Sequence, residues 1–510
     1  MVVSGLSSRK RRLALVVAGL LPVAMFVPAS SARLADTAPG APGGPALWTR
    51  GNKTGFGTAD TLASKVWYTV GDGKATELFY PRIDTPSVRD SQLIVTDGQT
   101  FTDREDRDTT HQTQVLAGRG LTYRVVNTAK SGRYRITKTF VTDPARSTVL
   151  VRIRFVSLTG LPYQVYVLHD PALGNDGSDD TGSGRHGTLL SAQSGMGSAL
   201  AADPALTRTS SGYLGVSDGW TDLRTDHRMD WSYAAPTPGN VVQTGRTILS
   251  GLPGAQRLTL AVGFGTDSAA AAAAARASLH SGFGPVSQEY AAGWRSYLSK
   301  LDPIPKSAQR WRTTYRISEM VLAASEDKTF RGGFVAAPAR PWAWATELRD
   351  IAVYHAVWSR DLYQIATGLL ADGDRPAANR ALSYLWDVQQ RPDGSFPQNS
   401  RLDGTLVFDS LQMDEVAFPI VLAWQLGRTG AADWKHVRRS ADYLVAHGPA
   451  SLQERWENLP GYSPATIAAE IAGLVCAADI ARHNGHGLTA RRYLATADAW
   501  QLNVNPWTRR

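Results

Sequence analysis

The sequence predicts two architectures joined end to end, an antiparallel β-sandwich followed by a helical domain built from hairpins. Three observations carry this. From about residue 48 to 267, short runs alternate apolar and polar residues and are separated by Gly/Asp turns. An unbroken alanine run, Ala269 to Ala275, then marks a sharp change of composition. From about residue 307 to the end, apolar residues recur at helical spacing.

The 510 residues suit two or three domains with large cores. Hydrophobic residues are 43% and charged residues 19%, which excludes a disordered or fibrous chain. Residues 1–32 read as a secretory signal peptide. Arg9-Lys10-Arg11-Arg12 precedes the apolar run Leu13 to Val27, and Ser30-Ser31-Ala32 offers small residues for cleavage. That run, broken by Gly19 and Pro22, is too short to span a bilayer comfortably. The expectation is a secreted, extracellular protein with no membrane attachment once the signal is removed. Residues 1–32 hold four basic and no acidic residues, so their removal lowers the formal net charge from +9 to +5. No dense Lys/Arg stripe stands elsewhere, so no nucleic-acid partner is expected.

Ala38 to Pro45 is rich in Pro, Gly and Ala, and residues 33–47 read as a linker. In the sandwich, Lys65 to Val70 is a strand that ends in the turn Gly71-Asp72-Gly73. Ser91 to Thr96 stops at Asp97-Gly98. Leu121 to Val126, Tyr134 to Val141, Thr148 to Val156 and Gln164 to Leu168 continue the pattern. Arg152 and Arg154 alternate with Val151, Ile153 and Phe155, so one face is wet and one is dry. Residues 268–306 read as a helical linker, with the alanine run followed by Gln288 to Leu301 and stopped by Pro303 and Pro305.

Six segments of residues 307–510 show helical spacing: Gln309 to Ser325, Asp361 to Leu370, Pro376 to Gln390, Glu415 to Gly427, Trp434 to His447 and Pro464 to His483. The last has Ser463 as cap, Pro464 at the first position and Gly485 past its end. Such hairpins build an (α/α) barrel, although periodicity alone does not separate a barrel from a solenoid. Cys476, the single cysteine, sits in an apolar run and reads as a small core residue; no paired metal-ligand spacing occurs, so no metal site is expected.

Chemistry belongs on the loops between helices. Phe334 to Pro338 is followed by Trp342 and Trp344. Val357-Trp358-Ser359-Arg360-Asp361, Asp393 to Asn399 leading to Gln412-Met413-Asp414-Glu415, and Glu454-Arg455-Trp456-Glu457-Asn458 complete the set. These types suit a sugar, which takes flat aromatic faces, forked charged groups for vicinal hydroxyls and two carboxyl groups for hydrolysis. Trp358, Trp456 and Phe408 offer faces, Arg360 and Asp361 offer a clamp, and Glu457 beside Trp456 has surroundings suited to a raised carboxyl pKa. Taken singly, each has a plainer reading. Arg360-Asp361 is also a helix cap with an ion pair, Trp358 a core residue, Glu457 a solvated loop acid, and Asp414-Glu415 a helix start.

In order and company, these motifs resemble glycoside hydrolase family 15. Ala336-Ala337-Pro338, Trp358-Ser359-Arg360-Asp361, Pro392 to Asn399, Gln412 to Pro419, and Arg455-Trp456-Glu457-Asn458 with Gly461-Tyr462-Ser463-Pro464 carry the resemblance. Gly55 to Ala59, Val66-Trp67-Tyr68, Glu77 to Asp84 and Val95 to Gly98 resemble the large sandwich (a supersandwich) that precedes the barrel in bacterial glucoamylases and glucodextranases. The resemblance implies an (α/α)6 barrel and an exo-acting α-glucosidase that inverts, releasing β-D-glucose from α-1,4- or α-1,6-glucans. It implies Glu457 as general acid, with Arg360, Asp361, Trp358, Trp456, Phe408, Gln412 and Asp414 binding substrate. A second carboxylate, roughly 6.5–9.5 Å from the acid, activates water.

Two departures stand out. Phe408 replaces the family's usual tryptophan and lacks its N–H donor. The family's general base lies well past the acid, whereas this sequence runs about 53 residues beyond Glu457. The expectation is an incomplete barrel without the base, impaired in turnover, whose sandwich folds alone while the helical part is poorly stable. Alternatives are a glucan-binding remnant without turnover, or a related α-glycosidase such as a trehalase. The expected partner is an α-glucan and the expected state a monomer. The chemistry needs no cofactor; a structural calcium is compatible, though no ligand loop demands one.

Overall fold

The computed structural model describes residues 36–175, 177–251, 254–339 and 354–509. The expected signal segment, Trp342 and Trp344 lie outside them.

Residues 36–265 form two packed sheets, one of ten strands and one of eight. Pairing is antiparallel throughout, except that Asp36–Thr37 runs parallel to Tyr233–Gly239. The alternation read in the sequence sets which face is buried: Val151, Ile153 and Phe155 point inward, and Arg152 and Arg154 point out. The turn at Asp72 and Gly73 has positive φ at both residues, the conformation that matches strand twist in a two-residue hairpin. Tyr68 of one sheet stacks on Phe140 of the other, with centroids 5.8 Å apart, inside a core that includes Trp67 and Phe79.

Two segments expected as linkers are packed instead. Residues 38–47 are tied to the sandwich by backbone bonds, Gly44 N–H to Leu214 O at 2.9 Å and Asn240 N–H to Pro42 O at 2.8 Å. Their Pro/Gly content reflects close packing there, not freedom. Residues 268–306 contain two helices, Ser268–Ser281 and Phe283–Leu298, laid against the ten-stranded sheet. The alanine helix lies on glycines of the strands Met196–Asp203 and Gln256–Gly265. A Cβ at Gly263 would sit 2.5 Å from Ala271 O, and one at Gly197 would sit 2.2 Å from the Asp267 carbonyl carbon. Small residues on both sides let the two backbones approach.

Seven helices follow among the described residues: Arg312–Ala324, Ser359–Ala371, Arg375–Tyr384, Met413–Gln425, Ala431–His447, Pro464–His483 and Gly487–Thr508. The last had no counterpart in the sequence reading. Consecutive inner helices pack side by side, 359–371 on 413–425 and 413–425 on 464–483. Each is followed by an outer partner that returns along it. Cys476 lies partly buried in the 464–483 helix, and burial pushes its thiol up to about 11.

The sandwich and the helical part share one continuous core. Lys328 Nζ donates to Thr58 Oγ1, Ala59 O and Ser64 O at 2.6–2.7 Å. Trp67 Nε1 donates to Ala324 O at 2.9 Å, and Asp327 accepts from Ile83 N–H at 3.0 Å. The motif around Arg82-Ile83-Asp84 therefore serves the junction, where Asp84 also accepts from Leu402 N–H at 3.3 Å.

Candidate active site

The loops at one end of the inner helices converge on Glu457. Trp358 precedes the 359–371 helix in extended conformation. Its backbone is aimed by its neighbour: Val357 bridges Ser400, and Gln389, in the π-helical turn 385–389 that ends the following 375–384 helix, donates from Nε2 to Val357 O at 2.9 Å and Ser400 Oγ at 2.8 Å. The Trp358 ring stacks on Tyr354 at 5.7 Å, and its Nε1 donates to Glu457 Oε1 at 3.1 Å.

Arg360 lies one residue into that helix and leans toward the next one. Ser359 Oγ donates to Glu415 O at 2.8 Å and locks the two helix starts together. The guanidinium donates to Gln412 Oε1 and stands 3.4 Å from Glu415, 3.7 Å from Asp414 and 3.6 Å from Asp361. Burial works against its charge, but Glu415, Asp414, Asp361 and Glu457 hold its pKa above the ordinary value. Burial raises Asp414, with Arg360 opposing, and pushes Glu415 well above the carboxylate range. Both Glu415 oxygens and Asp414 Oδ1 lack a hydrogen-bond partner among the described residues. Arg360 thus compensates a buried acidic pair, and Arg455 adds to it at Asp414.

Gln412 joins the halves of the site. Its Nε2 donates to Gln453 Oε1 at 3.2 Å and to Glu457 Oε1 at 3.4 Å. The acid's loop is closed by the Ser451–Gly461 bridge and pinned by Ser451, whose Oγ accepts from Met413 N–H at 3.2 Å. Glu457 itself has φ +65°, a left-handed backbone rare for a residue with a Cβ. Such conformations persist where the surroundings enforce them and are common at functional sites.

The structure brings Trp358, Arg360, Asp361, Gln412, Asp414 and Glu457 together. Two expected residues stand apart. Trp456 is 71% exposed, with Arg455 over its ring at 5.3 Å, so the aromatic that meets Glu457 is Trp358 and not its sequence neighbour. Phe408 is half-buried on the short strand Leu406–Phe408, its N–H bound to Asn399 Oδ1 at 3.0 Å. The Asp393–Asn399 loop is scaffold: Gly394 passes so close to the 431–447 helix that a Cβ would sit 2.3 Å from the Arg439 carbonyl. Tyr354 and Gln453 are not marked in the sequence, and Glu415 enters there only within the Gln412–Glu415 motif and as a helix start. Only Glu415 carried a signal, as the second acid of the Asp-Glu pair.

Comparison with known proteins assigns both domains. Residues 38–299 match the model of the glucodextranase N domain, and residues 311–510 match that of glycosyl hydrolases family 15. A glucoamylase from Clostridium sp. (strain G0005) is 36% identical over 473 residues, 92% of this chain. The chain spans 66% of that relative's length. The crystal structure of a bacterial glucoamylase complexed with acarbose superposes with a TM-score of 0.86 at 35% identity, over 92% of this chain and 69% of that one. With both family models matched in order and the fold shared over nine-tenths of its length, the chain belongs to glycosyl hydrolases family 15, its helical domain preceded by a glucodextranase-type N domain.

Proposed function

We propose that the protein acts on α-glucans as an exo-acting, inverting α-glucosidase that releases β-D-glucose from non-reducing ends. The observation that carries this is the Trp358–Glu457–Gln412–Arg360 chain of contacts, which holds one exposed carboxyl group beside a buried cationic fork. In this reading Glu457 protonates the glycosidic oxygen as the C–O bond breaks. Arg360 and Asp361 bind hydroxyls of the terminal glucose, and Trp358 supplies its apolar face. Gln412 and Asp414 fix Arg360, while Trp456 and Phe408 offer outer faces to the leaving chain. A second carboxylate activates water from the opposite side of the ring. No cofactor enters this chemistry. Export and action as a monomer belong to the same proposal, supported by the N-terminal sequence and the family.

The test follows the anomeric protons of released glucose by NMR, with maltotriose, isomaltotriose and trehalose as substrates and Glu457→Gln as control. β-Glucose that disappears in the variant supports the reading. α-Glucose as first product, or release unchanged in the variant, overturns it. Saccharide binding without turnover would favour a glucan-binding role.

A further inference from the structure

The outer face of the ten-stranded sheet carries a feature that hydrolysis does not use. Arg124, Arg135, Arg152, Arg154 and Arg257, from four adjacent strands, line a concavity of about 550 Å³. Thr137 and Thr139 lie between them, and no carboxylate lines it. None of the five arginines forms an ion pair among the described residues, whereas Arg89, Arg104, Arg331 and Arg380 each face a carboxylate.

The sheet register makes this arrangement costly to the fold. Arg154 stands directly opposite Arg257 on the neighbouring strand, and like charges so placed are destabilising. Arg152, two residues along, pairs with Thr139, which in turn faces Arg124 on the strand beyond. Arg152 also lies over Phe283 at 4.4 Å, where burial and the fields of Arg257, Arg119 and Arg124 lower its pKa. Five mutually repelling cations held on a rigid sheet, with hydroxyls between them, form a surface shaped for oxyanions.

Spacing narrows the class. Neighbouring strands are about 5 Å apart and same-face residues about 7 Å apart along a strand, so the guanidinia match negative groups repeating at several ångströms along a chain. No aromatic ring lines the concavity. A single-stranded nucleic acid would find phosphate contacts but no stacking platform. We infer that this face binds a linear, base-free phosphodiester polymer, a polyol phosphate, through the Arg124/Arg135/Arg152/Arg154/Arg257 cluster.

The test uses the full chain and poly(glycerol phosphate), with binding followed by fluorescence anisotropy at several salt concentrations. Binding should weaken with salt, with a log–log slope approaching roughly −3.5 if all five arginines engage phosphates. The double variant Arg154→Gln/Arg257→Gln should bind at least about tenfold more weakly and lose roughly 1.4 from the slope. Its Tm should be equal or higher, because an opposed like-charge pair is removed, and this separates lost binding from lost fold. Salt-insensitive binding, no binding, or unchanged affinity in the double variant would overturn the inference. So would tighter binding of an oligothymidylate with the same number of phosphates.

Discussion

Trp358 Nε1 and Glu457 Oε1 are hydrogen-bonded at 3.1 Å across 99 residues of sequence. The indole is held from behind by Tyr354 and from below by the Val357–Ser400 bridge, so the carboxyl group is aimed by a fixed donor. Trp358→Phe keeps the ring and removes the donor. A hydrogen bond to a charged group contributes about 1.5–3 kcal/mol, so kcat/KM on maltotriose is expected to fall roughly 10- to 100-fold. Tm should change little. Unchanged kcat/KM would remove Trp358 from the acid's support.

Arg360→Lys tests the fork. The guanidinium reaches Gln412 while standing within 4 Å of three carboxylates, and an ammonium cannot serve all of these directions. Glu415 would lose its compensating charge. Removing one partner of a buried ion pair costs about 3–5 kcal/mol in the extreme, because the other charge is left uncompensated, and Lys retains part of the compensation. The expectation is a Tm lowered by several degrees together with weaker maltotriose binding by calorimetry. Full retention of both would mean that Glu415 is neutral and needs no partner.

Gly263→Ala addresses the helix laid on the sandwich. Its Cβ would meet Ala271 O at 2.5 Å and Ala275 N at 2.7 Å, both backbone atoms that cannot swing away. Overpacking of this kind costs about 1–3 kcal/mol. Chemical denaturation should show a lower midpoint, whereas Gly132→Ala, where a Cβ meets nothing but φ is +73°, reports backbone strain alone.

Much of this was legible beforehand, and the exceptions have physical causes. The strands from Thr148 to Ser157 and Tyr134 to Thr142 announced themselves by alternation, because one face of each is buried and one is wet. The Gly487–Thr508 helix did not, because its buried residues Ala490, Tyr493, Ala497 and Trp500 are spread among polar ones and Pro506 stands near its end. Arg360, Gln412 and Glu457 were readable as motifs, but the partner of Glu457 was not. Adjacency pointed to Trp456, whereas folding brought Trp358. The arginine face was invisible for the same reason: Arg154 and Arg257 become neighbours only through strand order, so no run of basic residues marks them.

Lys328→Met probes the junction between sandwich and helices. The ammonium serves three oxygens at 2.6–2.7 Å, two of them backbone carbonyls, and lies 5.1 Å from the Trp67 ring centroid. Burial pulls it down to about 7. Methionine fills the space but leaves the acceptors unpaired, at about 1–3 kcal/mol for each that water cannot reach. Limited proteolysis should then cut faster between the two parts, at residues 299–311. An unchanged cleavage rate would show that the shared apolar core alone holds them.

Glu470 sets a pH dependence of stability. It is buried in the 464–483 helix, neither oxygen has a hydrogen-bond partner among the described residues, and burial, aided by Asp414, raises it from 4.5 to about 8. Between these values the unfolded chain has released the proton while the native state retains it. The native state therefore binds more protons, and stability falls as pH rises through that window. The full extent is on the order of a few kcal/mol. Glu470→Gln keeps the shape and cannot ionise, so it should be close to wild type in Tm at pH 4.5 and clearly more stable at pH 8 and above. The quantity to measure is the difference between variant and wild type across that range by calorimetry, which cancels every other titrating group. A difference that stays flat would mean that water or a rearranged partner solvates Glu470, and that its carboxylate is accommodated without strain on the helix pair.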